Sequence, residues 1–455
     1  MVKLKGNQFY RYGKQFPTIQ QFNEFKHKNY VKDIFTIHHL KENVMVNKGL
    51  TYFKGMKIED VSILSFDIET NGLKMNDHSK VFLISNTFKK GDTIIKQLFS
   101  LDEHMSMSHM IYEWTQWVNA LDPSIITGHN IISYDLPFLS HCFRLEGYDG
   151  LALGRDKSII TYADKESKFR VDGTRDLHYH KCYIYGREVI DTMFLAYRYD
   201  IGRKYESYGL KPIIRQEGLE KAGRTFYDSI TIKDNWHIKE EREKIKAYAI
   251  DDADDALSLF YLMAPSIFYM TQSVPKPFQL MTESATGSQL NAMMVRAYLQ
   301  SGHSVAKASE VERFEGAYSW GAPGIYRNVF KMDVSSLYPS IMLQYDIFDK
   351  KKDPELYLKK ILDFYRDSRL QYKKLAKETK DPYYAAMDQL GKIMINSMYG
   401  FMGATGLNYN YPFGASEVTR YGRETLRTCV KWATSRDIEE FITEDEEDTI
   451  EEIGA

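Results

Sequence analysis

Apolar runs of strand length alternate with helical patterns in the first half of the chain. Residues 61–69 form a nearly continuous apolar run that predicts a buried strand ending in two acids. Residues 125–139 predict a second strand, a glycine turn and the start of a helix. Residues 248–257 predict a further helix, on which Tyr248 and Asp252 share a face at positions i and i+4. We therefore predict an α/β organisation for this half.

The second half has a different pattern. Residues 265–309 are helical in pattern and rich in Met and Gln, which is most simply core filler. A short strand-like run, residues 325–332, leads to Asp333 and a hydroxyl-rich turn. Residues 354–400 predict two antiparallel helices, separated by the Asp-Pro pair at 381–382.

Length and composition predict a multidomain, water-soluble protein. At 455 residues the chain is long enough for about three domains of roughly 150 residues each. Hydrophobic residues make up 43% and charged residues 27%, and no run approaches the roughly 18 apolar residues of a membrane span. The three cysteines have no paired or metal-ligand spacing, and the first residues lack an apolar signal segment. We predict a cytoplasmic protein without membrane contact.

The net charge of −2 conceals an uneven distribution. Residues 437–455 contain ten acidic residues and no Lys or Arg. Residues 1–436 therefore carry all 60 basic residues and 52 of the 62 acidic residues, a net charge of +8. Local basic patches suit a protein that binds phosphates, although a solvated acidic tail on a neutral enzyme explains the charge equally well. The 33 Tyr and 25 Phe could stack on bases, but aromatic residues more often form core.

Three separate segments carry acids suited to metal chemistry. Asp67 and Glu69 lie two positions apart on one strand face, where both carboxylates can bind one cation, although edge strands also carry such pairs for solubility. Asp135 lies at a loop-to-helix junction, where acids also serve as helix caps. Asp252 follows Tyr248 by one helical turn. Together these segments resemble the three Exo motifs of the DEDDy 3′–5′ exonucleases.

A second set of motifs lies further along. The segment Lys-Met-Asp-Val-Ser-Ser-Leu-Tyr at 331–338 and the segment Lys-Ile-Met-Ile-Asn-Ser-Met-Tyr-Gly at 392–400 resemble the A and B motifs of family B DNA polymerases. On the two predicted helices, cations and an amide lie at i and i+4 spacing, namely Arg369 and Lys373, then Lys392 and Asn396. They could hold a triphosphate of about four negative charges, although solvated basic helix faces are a common alternative.

The resemblance covers roughly residues 61–432 and implies roles at both sites. It implies that two divalent metal ions, Mg²⁺ or Mn²⁺, bind Asp67, Glu69, Asp135 and Asp252, that Tyr248 orients the attacking water, and that Asn130 contacts DNA. It implies for the polymerase site that Asp333 binds metal, that Ser336, Leu337, Tyr338, Arg369, Lys373, Lys392 and Asn396 bind the incoming nucleotide, and that Gly316, Tyr399 and Gly400 contact DNA. The substrates implied are primer-template, single-stranded DNA and dNTPs.

One motif of the family is not found in this sequence. Family members carry Tyr-Gly-Asp-Thr-Asp after the helix that resembles residues 415–424, and this chain has no such segment. Two-metal phosphoryl transfer needs two ions about 3.5–4 Å apart, for which Asp333 supplies half of the protein ligands. We therefore expect a polymerase fragment whose second palm carboxylate and thumb come from a partner. The alternatives are a stand-alone exonuclease whose polymerase remnant binds DNA, and a catalytically silent primer-template subunit, against which the intact exonuclease acids argue.

The predicted fold is α/β, or α+β over the whole chain. A ribonuclease H-like exonuclease domain with a mixed sheet of five to six strands precedes a partial palm with a two-helix fingers insertion. The predicted segments are an N-terminal segment 1–60, exonuclease 61–264, N-terminal palm 265–348, fingers 349–400, and partial palm with acidic tail 401–455. By resemblance, the compact fingers suggest a viral, bacteriophage-like source.

Overall fold

The computed structural model describes residues 1–29, 33–171, 175–319, 321, 324–334 and 336–440. They divide into two compact units. One unit is Thr51–Ala285, and the other joins Met1–Leu50 to the described residues from Thr286 onward. None of the described helices combines the length and apolar character that crossing a membrane would require.

The strands and helices are numbered in chain order. The strands are β1 Val2–Lys3, β2 Tyr12–Gly13, β3 Ile63–Thr70, β4 Val81–Lys90, β5 Thr93–Ser100, β6 Ile125–Gly128, β7 Thr161–Tyr162, β8 Ser167–Arg170, β9 Asp176–Tyr179, β10 Cys182–Tyr183 and β11 Glu188–Asp191. The helices are α1 Ile19–Asn29, α2 Leu40–Lys48, α3 Met107–Leu121, α4 Asp135–Leu145, α5 Thr192–Tyr199, α6 Leu210–Gln216, α7 Ile232–Asn235, α8 Lys239–Met263, α9 Pro265–Thr271, α10 Phe278–Glu283, α11 Thr286–Gln300, α12 Leu337–Gln344, α13 Tyr357–Thr379, α14 Pro382–Gly403 and α15 Pro412–Thr434.

The unit Thr51–Ala285 is built on a mixed sheet. Among its described residues, five strands pair in the order β11-β6-β3-β4-β5. Strands β11, β6 and β3 run parallel to one another, whereas β4 is antiparallel to β3 and β5 is antiparallel to β4. The prediction of an α/β fold with a mixed sheet of five to six strands is confirmed.

The central strand β3 faces two different environments. Leu64, Phe66 and Ile68 point into a large apolar core that also holds residues of α3, α4 and α5. Because side chains alternate along a strand, the residues between them face the opposite side, toward α8. The Ser65 hydroxyl donates to the carbonyl of Ala253 at 2.8 Å on that side. The polar face of β3 therefore meets the helix that carries Asp252.

The loop that leads into α4 is fixed by close packing and by one buried carboxylate. A Cβ at Gly128 would lie 2.5 Å from the carbonyl oxygen of Phe66, so β6 can end here only on glycine. Asp191, at the end of the neighbouring strand β11, accepts from the backbone N–H of Asn130 at 2.8 Å and of Ile132 at 3.1 Å. These bonds fix the loop from which α4 begins.

The predicted pair of helices is present in the second unit. Helices α13 and α14 pack against each other, and the break lies at the predicted Asp-Pro pair. The side chain of Asp381 caps α14 by accepting from the backbone N–H of Tyr383 at 2.9 Å. Pro382 occupies the first turn, where its missing N–H costs nothing.

The strand predicted over residues 325–332 is wrong. The described residues 324–334 contain no strand and are exposed, with Val329 at 75% and Phe330 at 82% exposure. A strand needs a neighbour for its backbone hydrogen bonds. In the described part of this unit, the paired strands are the two-residue β1 and β2, which bond to each other.

Candidate functional site

Three carboxylates from β3 and α8 converge on one point. Asp67, Glu69 and Asp252 each offer an oxygen atom within 4.8 Å of the other two. Glu69 and Asp252 are buried, whereas Asp67 is partly exposed, so the cluster opens toward solvent at one side. Hard divalent cations such as Mg²⁺ and Mn²⁺ prefer oxygen ligands of this kind. The structure thus brings together three of the residues that the sequence predicts to bind metal.

The electrostatics of the cluster favour a bound cation. Burial raises the pKa of Asp67 well above its ordinary value, and the negative charges of Asp135, Glu69 and Asp252 raise it further. Burial, followed by the charge of Asp252, raises the pKa of Glu69 to about 8. Carboxylates crowded out of water cannot all ionise unless a positive charge joins them. The residues therefore fit a divalent metal ion.

Asp135 lies next to this cluster but outside the group of three. It is buried, begins α4, and lies close enough for its charge to raise the pKa of Asp67. Burial, assisted by the charge of Asp191, raises the pKa of Asp135 to about 8. The neighbouring Tyr134 places its hydroxyl 2.7 Å from the Thr70 hydroxyl, which fixes the start of α4 to the end of β3.

Tyr248 approaches the cluster from α8, one turn before Asp252. Its side chain is buried, and burial with the nearby carboxylates raises its pKa strongly, so the phenol stays protonated. Lys211, from α6, donates a hydrogen bond to the Tyr248 hydroxyl and lies 3.4 Å from Oδ2 of Asp252. A protonated hydroxyl and a cation thus stand beside the three carboxylates.

Sequence reasoning missed two cations at this site. Lys211, the second residue of α6, contacts both Tyr248 and Asp252. Arg224 donates to Oδ1 of Asp252 from a loop ahead of α8. A basic residue just inside a short helix, or in a polar loop, has no spacing that would mark it as part of a site.

Asn130, predicted to contact DNA, lies in the loop between β6 and α4. Its backbone adopts a positive φ of 70°, which Asn tolerates better than most residues. The side chain is partly exposed, and the backbone is held by Asp191 as described above.

The predicted polymerase residues lie in the other unit, and few of them touch. Asp333 is exposed, and it belongs to no metal-ligand group among the described residues. The rings of Tyr338 and Tyr399 lie 4.5 Å apart, so the structure brings these two predicted residues together. Ser336 occupies the N-cap position of α12 in a left-handed conformation, without a capping hydrogen bond from its side chain, and Leu337 is the first helical residue.

The predicted phosphate-binding residues lie on α13 and α14. Arg369 pairs with Asp388 through Nε and Oδ1 at 2.9 Å, a contact the sequence did not indicate. Lys373, Lys392 and Asn396 are exposed.

The two predicted DNA-contacting glycines lie in different settings. Gly400 is an exposed residue of α14. The carbonyl of Gly316 accepts a hydrogen bond from Arg423 of α15 at 2.6 Å.

Two protein-family models match the chain. The model of the exonuclease domain of DNA polymerase family B matches residues 17–213, and the model of DNA polymerase family B matches residues 345–452. The first match contains β3, the loop before α4 and the start of α6, and the second contains α13, α14 and α15.

Individual relatives agree with these matches. The chain is 28% identical to the DNA polymerase delta catalytic subunit of Dictyostelium discoideum, with 82% of this chain and 39% of that protein aligned. It is 24% identical to a DNA polymerase of Archaeoglobus fulgidus, over 84% of this chain and 49% of that protein. The chain therefore spans less than half the length of these two relatives.

A solved structure shares the fold. The family B DNA polymerase of Pyrobaculum calidifontis superposes with a TM-score of 0.69 and 19% identity, covering 88% of this chain and 58% of that one.

Proposed function

Because the chain belongs to the family B DNA polymerases and carries their exonuclease domain, we propose that its unit Thr51–Ala285 removes 3′-terminal nucleotides from DNA as a proofreading exonuclease of the DEDDy type. The observation that carries this proposal is the convergence of Asp67, Glu69 and Asp252 within 4.8 Å. The protonated Tyr248 beside them and the adjacent Asp135 support the same assignment.

The residues suit hydrolysis of a phosphodiester. Mg²⁺ or Mn²⁺ ions held by Asp67, Glu69, Asp135 and Asp252 would lower the pKa of water and neutralise charge at the phosphate. Tyr248 keeps its proton and can donate a hydrogen bond to the attacking water or to the substrate phosphate. Lys211 holds the Tyr248 hydroxyl and adds a positive charge next to Asp252.

We also propose that the second unit takes part in template-directed nucleotide addition, with primer-template DNA and dNTPs as substrates. The contact between the rings of Tyr338 and Tyr399 supports a nucleotide site on α12, α13 and α14, as do the exposed Lys373 and Lys392. Asp333 needs a second palm carboxylate, which a partner carrying Tyr-Gly-Asp-Thr-Asp and the thumb would supply.

The exposed apolar residues between 325 and 334 support such a partner. Ile325, Val329 and Phe330 are each at least 75% exposed, and apolar surface of this kind is typical of an interaction site. The same proposal includes the five domain segments predicted from the sequence. It also includes a phage-like source and a location in the cytoplasm.

A second candidate function is exonuclease activity alone, with the polymerase-like unit serving to bind DNA. One observation favours it: among the described residues, Asp67, Glu69 and Asp252 form a group of three possible metal ligands, whereas Asp333 belongs to no such group. Both candidates predict DNA shortening by this chain alone. They differ in whether the primer is extended when dNTPs and a partner carrying Tyr-Gly-Asp-Thr-Asp are both present.

The test uses 5′-labelled primer-template and single-stranded DNA with Mg²⁺, in the presence and absence of dNTPs. We expect the chain to shorten both DNAs, and we expect Asp67→Ala to abolish shortening because the cluster loses a central ligand. Asp77→Ala, at an exposed aspartate in the same unit, is the matched control and should retain activity. Undiminished degradation by Asp67→Ala would contradict the proposed site, whereas extension with dNTPs would contradict the exonuclease-only candidate.

A further inference from the structure

We propose that Arg224 is a positioning residue of the exonuclease site, which holds the carboxylate of Asp252 in the orientation that binds metal together with Asp67 and Glu69. This inference rests on the proposed function of the same site. It assigns a role to a residue outside the acidic segments from which the site was recognised.

Helix α8 carries an unusually dense group of acids. Asp251, Asp252, Asp254 and Asp255 lie within five consecutive residues, and like charges at such spacing repel one another. The loop at residues 221–225 provides a donor to each acid. Thr225 N–H donates to Asp251 at 2.8 Å, Lys221 donates to Asp254 at 2.9 Å, and Arg224 donates to both Asp252 and Asp255. Of these four acids, Asp252 is the one that converges with Asp67 and Glu69.

The Arg224 guanidinium is fixed on three sides. Its side chain is only 2% exposed. Nε donates to Oδ2 of Asp255 at 2.6 Å, Nη1 donates to the carbonyl of Thr225 at 2.8 Å, and Nη2 donates to Oδ1 of Asp252. A planar guanidinium held at all three of its nitrogens cannot rotate without breaking a buried bond. The position of the Asp252 carboxylate therefore follows from that of Arg224.

The electrostatics of the cluster explain why such a restraint is needed. When Asp67 and Glu69 ionise to bind a metal ion, their negative charges repel the Asp252 carboxylate, and rotation about its side-chain bonds would relieve this repulsion. Arg224 opposes the rotation by bonding to Oδ1, while Lys211 lies 3.4 Å from Oδ2. Partners that orient a metal ligand in this way typically change metal affinity or activity by about 10- to 100-fold when they are removed.

A purely structural ion pair would behave differently. The pair between Lys221 and Asp254 joins the same loop to the same helix and is also largely buried on the acid side, at 4% exposure. Among the described residues, Lys221 bonds to Asp254 and not to Asp252. Lys221→Gln is therefore a matched control for the general effect of loosening this loop.

The experiment compares the full chain with its Arg224→Gln, Arg224→Lys and Lys221→Gln variants. Two quantities are measured: the Mn²⁺ concentration for half-maximal DNA shortening, and Mn²⁺ binding without DNA, from the electron paramagnetic resonance signal of free Mn²⁺. We expect Arg224→Gln to raise both half-saturation concentrations by about 10- to 100-fold. Arg224→Lys should give a smaller increase, because lysine keeps the positive charge but lacks the planar guanidinium that bonds Asp252 and Asp255 at the same time. Lys221→Gln should lower only the melting temperature.

The inference would be overturned if the wild-type chain is active and both Arg224 variants have the same Mn²⁺ half-saturation concentrations as the wild type. That result would leave the proposed function intact. If Arg224→Gln does not fold, Arg224→Lys decides the question. A wild-type chain that neither binds Mn²⁺ nor shortens DNA would overturn the proposed function, and the inference with it.

Discussion

Replacing Glu69 by Gln should stabilise the metal-free protein at alkaline pH while it removes exonuclease activity. Glu69 is buried beside Asp67 and Asp252, and its pKa is raised from 4.5 to about 8. A carboxyl group with a raised pKa in the folded state keeps its proton after the unfolded chain has lost it. Between pH 4.5 and pH 8 the unfolded chain binds fewer protons, so the free energy of unfolding falls as the pH rises. Glutamine has a similar shape and does not ionise, so it does not lower the free energy of unfolding as the pH rises.

The size of the effect follows from the pKa. A shift of roughly 3.5 units at about 1.36 kcal/mol per unit gives an upper limit of about 4.8 kcal/mol above pH 8. At pH 5, Glu69 lowers the free energy of unfolding by under about 1 kcal/mol. The free energy of unfolding therefore falls by at most about 4 kcal/mol between pH 5 and pH 8.5 because of this group. Because neighbouring acids share the cost, we expect about 2 kcal/mol of relative stabilisation in Glu69→Gln.

The assay is urea unfolding in EDTA at pH 5 and pH 8.5, with DNA shortening measured in Mg²⁺. Glu146→Gln is the matched control, since Glu146 is an exposed residue at the end of α4. The gain in stability should appear at pH 8.5 for Glu69→Gln and not for the control. A Glu69→Gln protein that is destabilised equally at both pH values would refute the electrostatic reasoning, because the loss would then come from packing or hydrogen bonding.

Two further substitutions test the geometry of the site. Lys211→Gln should slow single-turnover DNA shortening at saturating Mg²⁺ by about 10- to 100-fold, because Tyr248 loses its hydrogen-bond donor and Asp252 loses a nearby cation. An unchanged rate would show that Lys211 does not contribute, and Lys204→Gln, at an exposed lysine, is the control. Gly128→Ala should cost about 1–3 kcal/mol in urea unfolding, because the new Cβ would lie 2.5 Å from the Phe66 carbonyl oxygen; wild-type stability would contradict the close approach.

Local rules predicted which residues of the acidic site share a face within one strand or one helix. The alternation of side chains along a strand predicted that Asp67 and Glu69 share a face, and the helical repeat predicted that Tyr248 and Asp252 do. Each rule needs only a few neighbouring residues, and the long apolar run before Asp67 identified the strand clearly. What joined the two elements was the family resemblance, since no local pattern states that β3 packs on α8.

The parts that were missed depend on contacts distant in sequence. Lys211 and Arg224 reach Asp252 from 41 and 28 residues away, respectively, and nothing in their own surroundings distinguishes them from other basic loop residues. The strand predicted at 325–332 failed for a related reason. An apolar, β-branched run has strand propensity, but a strand forms only where a second strand provides hydrogen bonds.

The two candidate sites differ in how far their own residues complete them. In the unit Thr51–Ala285, Glu69, Asp135 and Asp252 are buried, and Asp252 is bonded by cations of the same unit. In the other unit, Asp333 and Lys392 are exposed. A buried site has its geometry fixed before substrate arrives, whereas exposed side chains are ordered only by what binds to them. Hydrolysis should therefore be measurable with this chain alone, whereas nucleotide addition should depend on added binding partners.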